Sequence, residues 1–210
     1  MKPKLLDLCC GAGGAAMGYF RAGFDIVGVD IMPQPNFPFR FVQDDALDFV
    51  KRNTGEFDAV HASPPCQGYS ITKTIHRRQY KKLIPEFREA LQNTGKPYVI
   101  ENVIGAPLRD CIKLCGTMFG LNVYRHRLFE SNILLLQLGH TKHMKPAVKV
   151  GRCAKSGEIM CVAGHFSSLP LAKECMGIGW MTRDELAQEI PPAYTTFVGL
   201  QVKQHINGVH

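Results

Sequence analysis

The sequence predicts an α/β fold built on a mostly parallel, doubly wound sheet. Its 210 residues are enough for one sizeable domain with a small appendage and too few for two full domains. Through the first hundred residues, short apolar segments alternate with segments of helical spacing, the order expected of a parallel sheet covered on both faces. The first apolar segment leads directly into a glycine-rich turn and a helix start, as in ligand-binding α/β folds.

The predicted strands are short, apolar and bounded by turn residues. They cover Lys4–Leu8, Ile26–Asp30, Phe39–Val42, Phe57–His61 and Tyr98–Glu101. Helical spacing is found between them, in Gly14–Ala22, Ala46–Arg52 and Gln79–Gln92. Two further segments, Asn122–Phe129 and Ser131–Leu136, are predicted as adjacent strands that close one edge of the sheet.

The character of the chain changes after residue 138. Residues 140–155 contain five Lys or Arg and no acid, and three glycines follow within residues 151–164, which favours an extended loop or a small ribbon. Helices are predicted at Ala172–Met176, after the N-cap Thr182, and from about Ala193. We therefore expect an α/β domain over residues 1–138 and a small appended segment over 139–176. C-terminal helices over 177–210 that pack back on the domain complete the predicted organisation.

Composition limits the classes of protein to consider. A hydrophobic fraction of 45% and a charged fraction of 20% exclude disordered, collagen-like and coiled-coil chains. The net charge of +7 suits a polyanionic partner. Eight cysteines are too few for a disulfide-stapled secreted domain, and no apolar run approaches a membrane span or a signal peptide. A cytoplasmic protein with no membrane partner is expected.

The glycine turn Cys9–Gly14 indicates a cofactor site. Glycines let the backbone approach a bound molecule closely, and the helix amides beyond them favour negative groups. Asp30 ends the second strand, where a carboxylate can accept from ribose hydroxyls, and Asp45 follows the third. Because Asp30 lies 19 residues after Gly11, the turn also fits a dinucleotide fingerprint. The turn alone predicts an adenosine-containing cofactor and leaves an NAD-dependent oxidoreductase open.

Cys66 is the candidate nucleophile. It follows Pro64 and Pro65 at the end of the fourth strand, where a rigid backbone would hold it at the ligand-binding edge of the sheet. Glu101 ends the next strand, and its carboxyl among apolar residues is suited to donate a proton. Tyr124–Arg127 adds two arginines in alternation, Arg125 and Arg127.

On these residues the sequence resembles the DNA cytosine-5 methyltransferase family. The matching motifs occur in the family's order over about residues 4–130 and are Asp7–Gly14, Val29-Asp30, Asp44-Asp45, Ser63–Gln67 with Ser70, Glu101–Val103 and Arg125–Arg127. The resemblance implies a Rossmann-like fold that depends on S-adenosylmethionine or a close derivative. An NAD-dependent oxidoreductase has no use for Pro-Pro-Cys-Gln followed by Glu-Asn-Val.

The resemblance also implies residue roles. Cys66 would attack carbon 6 of cytosine, Glu101 would pair with N3, and Arg127 with Arg125 would hold O2, while carbon 5 takes the methyl group. The implied cofactor pocket comprises Asp7, Cys9, Gly11, Gly13, Gly14, Asp30, Ile31, Asp45, Ala46 and Pro64. Duplex DNA hides carbons 5 and 6, so the target base must be flipped out.

Two basic stretches suit contact with DNA phosphates, which would give salt-dependent affinity without sequence information. With polar neighbours of the cysteine, the expected nucleic-acid contacts are Gln67, Ser70, Lys73, Arg77, Arg78, Lys81, Lys82, Lys142, Lys145, Lys149 and Arg152. Two alternatives stay open on the sequence: the same chemistry on RNA, and a catalytically idle nucleic-acid-binding module.

The chain departs from the family pattern in three places. Only residues 128–176 are available for target recognition, which leaves relaxed recognition, an oligomer or a helper subunit as options. Val123 replaces the glutamine that the family places before the arginines. The tail Ile190–Gly199 lacks the Gly-Asn of the last motif, so the amino-acid end of the cofactor is less defined than its adenosine end.

Scattered cysteines and histidines raise the question of a zinc site. The candidates are Cys111, Cys115, His140, His143, Cys153, Cys161 and His165. Their spacings are irregular and include no Cys-x2-Cys pair, so the sequence predicts no metal site.

Overall fold

A computed structural model describes residues 1–66, 69, 82–140, 142–148, 152, 155 and 158–208. Its sheet is built from β1 Lys4–Leu8, β2 Asp25–Asp30, β3 Arg40–Gln43, β4 Ala59–Ala62, β5 Tyr98–Asn102, β6 Ile112–Leu114 and β7 Arg127–Ser131. The spatial order is β3-β2-β1-β4-β5-β7-β6. The pairings among β1 to β5 are parallel, whereas β7 is antiparallel to both β5 and β6. The predicted mostly parallel, Rossmann-like α/β fold is confirmed.

The helices follow the sequence pattern closely. They are α1 Gly14–Ala22, α2 Ala46–Asn53, α3 Ile84–Gln92, α4 Leu169–Met176, α5 Arg183–Gln188 and α6 Pro192–Ile206, with short 3-10 turns at Thr54–Glu56 and Gly116–Phe119. The predicted cap of α5 is present, since the Thr182 hydroxyl accepts from the Glu185 amide while the Glu185 carboxylate accepts from the Thr182 amide. The helix predicted over 79–92 begins only at Ile84, with Pro85 in its first turn, and residues 79–81 lie outside the described residues.

The prediction for the edge of the sheet was wrong. The hairpin at this edge joins β6 to β7, and residues 132–136 form no strand. The chain leaves the sheet at Asn132, whose side chain accepts from the Tyr98 amide at 2.8 Å and donates to the Lys96 carbonyl at 2.9 Å. β6 has only three residues, too few for an apolar alternation to stand out in the sequence.

Both faces of the sheet are covered. The alternation in β1 sends Leu5 to the side of α1 and α6, where Tyr19 and Tyr194 are fully buried. Leu6 goes to the side of α2 and α3. Helices α1 and α6 approach each other so closely at Gly18 that a Cβ there would overlap backbone and side-chain atoms of α6. The carboxyl ends of the parallel strands stay uncovered by these helices.

The segment after the basic stretch packs against the start of the sheet. Met160, Val162 and Phe166 share a buried cluster with Ala12 of the glycine turn. The indole of Trp180 donates to the Ala12 carbonyl at 2.9 Å. Residues 158–190 are therefore held against the ligand-binding edge. Within the described residues, no helix combines the length and apolar character needed to cross a bilayer.

Candidate active site

A cavity of about 410 Å³ opens at the carboxyl ends of the parallel strands. Such an edge is where open α/β sheets bind ligands. Its walls come from the loops after β1, β2, β4 and β5, from the start of β7 and from the residues between α5 and α6. The lining residues are Asp7, Cys9, Cys10, Gly11, Ala15, Asp30, Ile31, Met32, Gln34, Ser63, Pro64, Pro65, Cys66, Glu101, Val103, Arg127, Gln188, Glu189 and Ile190.

The glycine turn and Asp30 form one end of this cavity. Gly11 adopts a left-handed conformation with φ +49°, and its amide donates to Asp30 Oδ2 at 3.1 Å. The other oxygen, Oδ1, accepts from the Met32 amide at 2.9 Å. These bonds hold the carboxylate at the cavity wall. Beside it, the side chains of Ile31 and Met32 are about two thirds exposed. They form an apolar surface on which a flat ring could pack.

Asp7 is a fully buried carboxyl at the floor of the cavity. Neither of its side-chain oxygens makes a hydrogen bond of good geometry among the described residues, although the Ala16 amide lies close enough to oppose the rise in its pKa. Burial raises the pKa of Asp7 well above its usual value, and the nearby carboxyls of Glu189 and Asp30 raise it further. An unpartnered buried polar group is costly, so this carboxyl is a natural contact for a ligand donor.

Glu189 is a cavity residue that the sequence reasoning missed. Its carboxylate accepts from the Ala12 and Gly14 amides, both at 2.9 Å, at the N-terminus of α1. Those amides, expected to face a ligand carboxylate, are thus engaged by the chain itself. Burial raises the pKa of Glu189 to about 7 against the effect of the two amides. The only sequence signal was an acid directly before Ile190-Pro191-Pro192 in the tail.

Four expected cofactor residues lie outside the cavity lining. Asp45 caps α2, since its Oδ1 accepts from the Leu47 amide at 2.9 Å and the Asp48 amide at 3.0 Å. Ala46 is buried as the first residue of that helix. Gly13, at φ +88°, forms the turn against Phe37, and Gly14 supplies an amide to Glu189. The other expected cofactor residues, Asp7, Cys9, Gly11, Asp30, Ile31 and Pro64, do line the cavity.

Cys66 lies at the opposite end of the cavity on the loop after β4. The Asn102 side chain of β5 donates to the Pro64 carbonyl at 2.8 Å and fixes the approach to the cysteine. Burial raises the pKa of the Cys66 thiol, and the Arg127 guanidinium opposes that rise. The resting group is a protonated thiol beside a cation that favours its thiolate.

Glu101 and Arg127 form a buried ion pair next to the cysteine loop. Because β7 runs antiparallel to β5, the first residue of β7 meets the last residues of β5. Glu101 is paired with Phe129, so Arg127 lies on the same face, two residues along. Arg127 Nε is 2.9 Å from Glu101 Oε1. Burial raises the pKa of Glu101 even so, against the opposing effect of the Arg127 guanidinium.

A hydrogen-bonded chain supports Glu101 from behind. Tyr19 Oη lies 3.0 Å from His61 Nδ1, and His61 Nε2 lies 3.0 Å from Ser63 Oγ. Ser63 in turn hydrogen-bonds the Glu101 carboxyl. Burial lowers the pKa of His61 to about 3, so the ring is neutral at pH 7. Sequence reasoning missed these contacts because they join α1 to β4 and to the residue after it, which are far apart in the chain.

The structure brings Arg127, and not Arg125, into the cavity lining. The Arg125 guanidinium donates to the Val162 carbonyl and, at 2.8 Å, to the Ala187 carbonyl. Burial lowers the pKa of Arg125 to about 9. Alternation predicted both arginines on one face, but β7 begins only at Arg127, so the alternation does not extend to Arg125. Arg125 instead ties the start of the strand to the C-terminal segment.

The expected nucleic-acid contacts are only partly visible. Lys82, Lys142 and Lys145 are exposed, and Arg152 pairs with Glu158. The remaining candidates lie outside the described residues and are Gln67, Ser70, Lys73, Arg77, Arg78, Lys81 and Lys149.

A family model for C-5 cytosine-specific DNA methylase matches residues 3–110. The chain belongs to this family. The present chain is 34% identical over 151 residues to the type II methyltransferase M.XorII of Xanthomonas oryzae pv. oryzae. The match covers 63% of this chain and 32% of that protein. It is 35% identical over 122 residues to M1.HphI of Haemophilus parahaemolyticus, covering 49% of this chain and 33% of that protein. The present chain therefore spans about a third of the length of these two relatives.

Two solved structures have the same fold as the present chain. A protein described as a prophage-encoded DNA modification methyltransferase from E. coli superposes with a TM-score of 0.68 at 14% identity, over 98% of this chain and 100% of that one. The Dnmt2 methyltransferase of S. pombe superposes with a TM-score of 0.66 at 11% identity, over 99% of this chain and 100% of that one. At these identities the likeness establishes the fold.

Proposed function

We propose that this chain transfers a methyl group from S-adenosylmethionine, or from a close derivative, to carbon 5 of cytosine in DNA through a covalent bond between Cys66 and carbon 6. One observation carries the proposal. The Cys66 thiol, the Glu101–Arg127 ion pair and the Asp30 carboxylate line the same cavity at the ligand-binding edge of the sheet. Family membership supplies the reaction class, and the cavity supplies the residues in reach of one substrate.

The residues at the Asp30 end fit an adenosine cofactor with an amino-acid tail. Asp30 would accept from the ribose hydroxyls, and the exposed Ile31 side chain would cover one face of the adenine. The unpartnered Asp7 carboxyl and Glu189 would face the ammonium group of the tail. Two acids at this end suit a cationic group better than a carboxylate. When bound, S-adenosylmethionine supplies an electrophilic methyl group.

Cys66 begins the chemistry at the other end. The thiol gives its proton to water, and the sulfur attacks carbon 6 of a flipped-out cytosine to form the S–C6 bond. Arg127 lowers the pKa of this thiol against the effect of burial. The same guanidinium is positioned to hold the O2 oxygen of the base while its Nε stays on Glu101.

Glu101 controls the charge on the ring. In its protonated form, which the raised pKa of this carboxyl favours, Glu101 gives its proton to N3 and so neutralises the negative charge that the attack sends into the ring. Electron density then collects at carbon 5, which would take the methyl group from the sulfonium as the rest of the cofactor leaves as a neutral thioether. The N3 proton returns to the Glu101 carboxylate. Loss of the carbon 5 proton to water then breaks the S–C6 bond, which releases Cys66 and restores aromaticity.

The DNA partner is supported by charge and by chemistry. Lys142 and Lys145 are exposed on the segment that follows the sheet, and Lys82 is exposed just before α3. Such lysines bind phosphates without reading sequence. Carbons 5 and 6 are inaccessible in a duplex, so double-stranded DNA as substrate requires base flipping. Target reading by residues 139–176 and assistance from an oligomer or a helper subunit belong to the same proposal.

The cellular location is part of the proposal as well. The described cysteines are all free thiols, and the proposed nucleophile is one of them. A reducing cytoplasm keeps such thiols available for attack.

Nucleoside analysis tests the reaction without a guess about target sequence. The wild-type chain and Cys66→Ala are expressed in cells lacking cytosine modification. The DNA of each culture is digested to nucleosides, and the nucleoside masses are measured by mass spectrometry. A modified deoxycytidine that appears only with wild type supports the proposal, and its mass identifies the transferred group. Cys111→Ala removes a half-buried thiol outside the cavity lining and should leave the modification intact.

Three further experiments separate the remaining alternatives. Modified cytidine in digested RNA, with unmodified DNA, would move the substrate to RNA. A covalent adduct with DNA containing 5-fluorocytosine would exclude an idle binding module, since the adduct needs both Cys66 attack and methyl transfer. Equilibrium binding of NAD in preference to S-adenosylmethionine would overturn the cofactor assignment.

A further inference from the structure

A cluster of one cysteine and three histidines lies outside the cavity. Each of these residues offers one ligand atom, and all four atoms lie within 4.8 Å of one another; the residues are Cys115, His126, His140 and His143. Cys115 is buried and the histidines are partly buried. The cluster joins the end of β6, the residue before β7 and the beginning of the basic segment.

The spacing of the ligand atoms matches a tetrahedral metal centre. Cys115 Sγ is 3.5 Å from His143 Nε2, and His126 Nε2 is 3.1 Å from His140 Nε2. Bonds of about 2.0–2.3 Å to a tetrahedral ion give ligand-to-ligand edges of roughly 3.3–3.7 Å. The sulfur–nitrogen contact lies within this range and the nitrogen–nitrogen contact lies just below it, while every other pair of ligand atoms lies within 4.8 Å.

The surroundings hold the ligands in place. The Tyr124 ring stacks on His143 with 3.7 Å between centroids and 12° between planes, and its hydroxyl donates to the Lys145 carbonyl at 2.9 Å. The Thr117 hydroxyl lies 3.5 Å from Cys115 Sγ and can donate to a thiolate.

The geometry points to a structural Zn²⁺ site formed by Cys115, His126, His140 and His143. One thiolate and three imidazoles are the donor types that Zn²⁺ takes in proteins, and four protein ligands close the tetrahedron, which is typical of a structural site. This assignment replaces the sequence expectation of no metal site. His126 is the ligand that the sequence did not offer, because it lies between the two arginines of the catalytic motif.

The ion would fasten the basic segment to the catalytic strand. His140 and His143 open the stretch that carries Lys142 and Lys145, whereas His126 adjoins Arg127. The Arg127 guanidinium donates to the His126 carbonyl at 2.9 Å. Ligation of His126 therefore steadies both the arginine of the active site and the start of the segment proposed to contact DNA.

Metal analysis of the untagged full-length chain tests the assignment. Purified wild type should contain about one zinc per chain. After exchange into Co²⁺, it should show the visible bands of a tetrahedral ion and a thiolate-to-cobalt charge-transfer band. Cys115→Ser should abolish the charge-transfer band, and His143→Asn should lower the zinc content and the thermal midpoint.

Matched controls separate ligation from general damage. Cys111→Ser and His165→Asn alter the same residue types outside the cluster and should retain full zinc and full cobalt spectra. Cys66→Ala should also retain zinc, so the metal result stands apart from the proposed methylation. Wild type that neither contains zinc nor develops a thiolate-to-cobalt band on titration would overturn the site, as would equal zinc loss in the controls.

Discussion

Removal of Arg88 should destabilise the strand that carries Arg127. Arg88 on α3 makes a two-pronged ion pair with Glu130 on β7, with Nε–Oε1 at 2.6 Å and Nη2–Oε2 at 2.7 Å. Its Nη2 also donates to the Pro107 carbonyl at 2.8 Å, and the Arg109 amide donates to Glu130 at 2.7 Å. The side chains are only 7% and 5% exposed. Water therefore cannot replace the lost partner.

The magnitude follows from this burial. Arg88→Met removes three hydrogen bonds and leaves the Glu130 carboxylate buried with one donor, the Arg109 amide. Breaking a buried ion pair from one side costs about 3–5 kcal/mol of unfolding free energy. For a chain of this size, each kcal/mol shifts the thermal midpoint by about 2–4 °C, so a drop on the order of 6–20 °C is expected. Arg88→Met with Glu130→Leu should recover most of the loss, since no charge stays buried.

Urea unfolding of the wild type, both single variants and the double variant completes the measurement. The interaction free energy from this cycle should amount to several kcal/mol. A loss below about 1 kcal/mol for Arg88→Met, with no recovery in the double variant, would refute the reasoning, because it would mean that the pair is solvated.

Three further predictions concern the site and its scaffold. Glu101→Gln keeps the shape of the side chain but has no proton to give, so single-turnover methylation should slow by about 10²–10⁴ while calorimetric cofactor affinity stays within a few-fold; an unchanged rate would remove Glu101 from the chemistry. Because the pKa of Glu189 rises to about 7 on folding, its stabilising contribution is complete below about pH 4.5 and is lost as the pH rises through 7. Relative to Glu189→Gln, wild type should lose about 3 kcal/mol between pH 4.5 and 8 in urea titrations, and parallel pH curves would contradict this. Gly18→Ala should cost about 1–3 kcal/mol because the new methyl overlaps Thr195, whereas Gly179→Ala has open space and should cost little in the same assay.

Sequence reasoning predicted those parts of the site whose residues are close together in the sequence. The glycine turn, the Pro-Pro-Cys loop and Glu101 at a strand end each combine a strand with the residues that follow it. Because parallel strands share one edge, local patterns of this kind are enough to bring Cys66 and Glu101 to the same cavity. The fold class and the family follow from the same patterns and are confirmed.

The parts that sequence reasoning missed depend on distant contacts. Glu189 meets Ala12 across 177 positions of the chain, and no periodicity encodes such a contact. Arg125 and Arg127 look equivalent in sequence, yet one binds backbone carbonyls of the C-terminal segment and the other faces Glu101. His126 joins the proposed zinc ligands only because the chain turns back after β7.

That turn also affects how this sheet meets other proteins. β6 is the last strand of the sheet, and an open edge strand offers unpaired amides to any extended chain in solution. After leaving the sheet at Asn132, the chain runs back alongside β6, where Gln137 Oε1 accepts from the Lys113 amide at 2.9 Å. The Leu136 amide is bonded to Gln201 of α6 at 2.6 Å, which anchors this cover to the body of the protein. The residues that do not extend the sheet thereby hinder strand addition and aggregation at this edge.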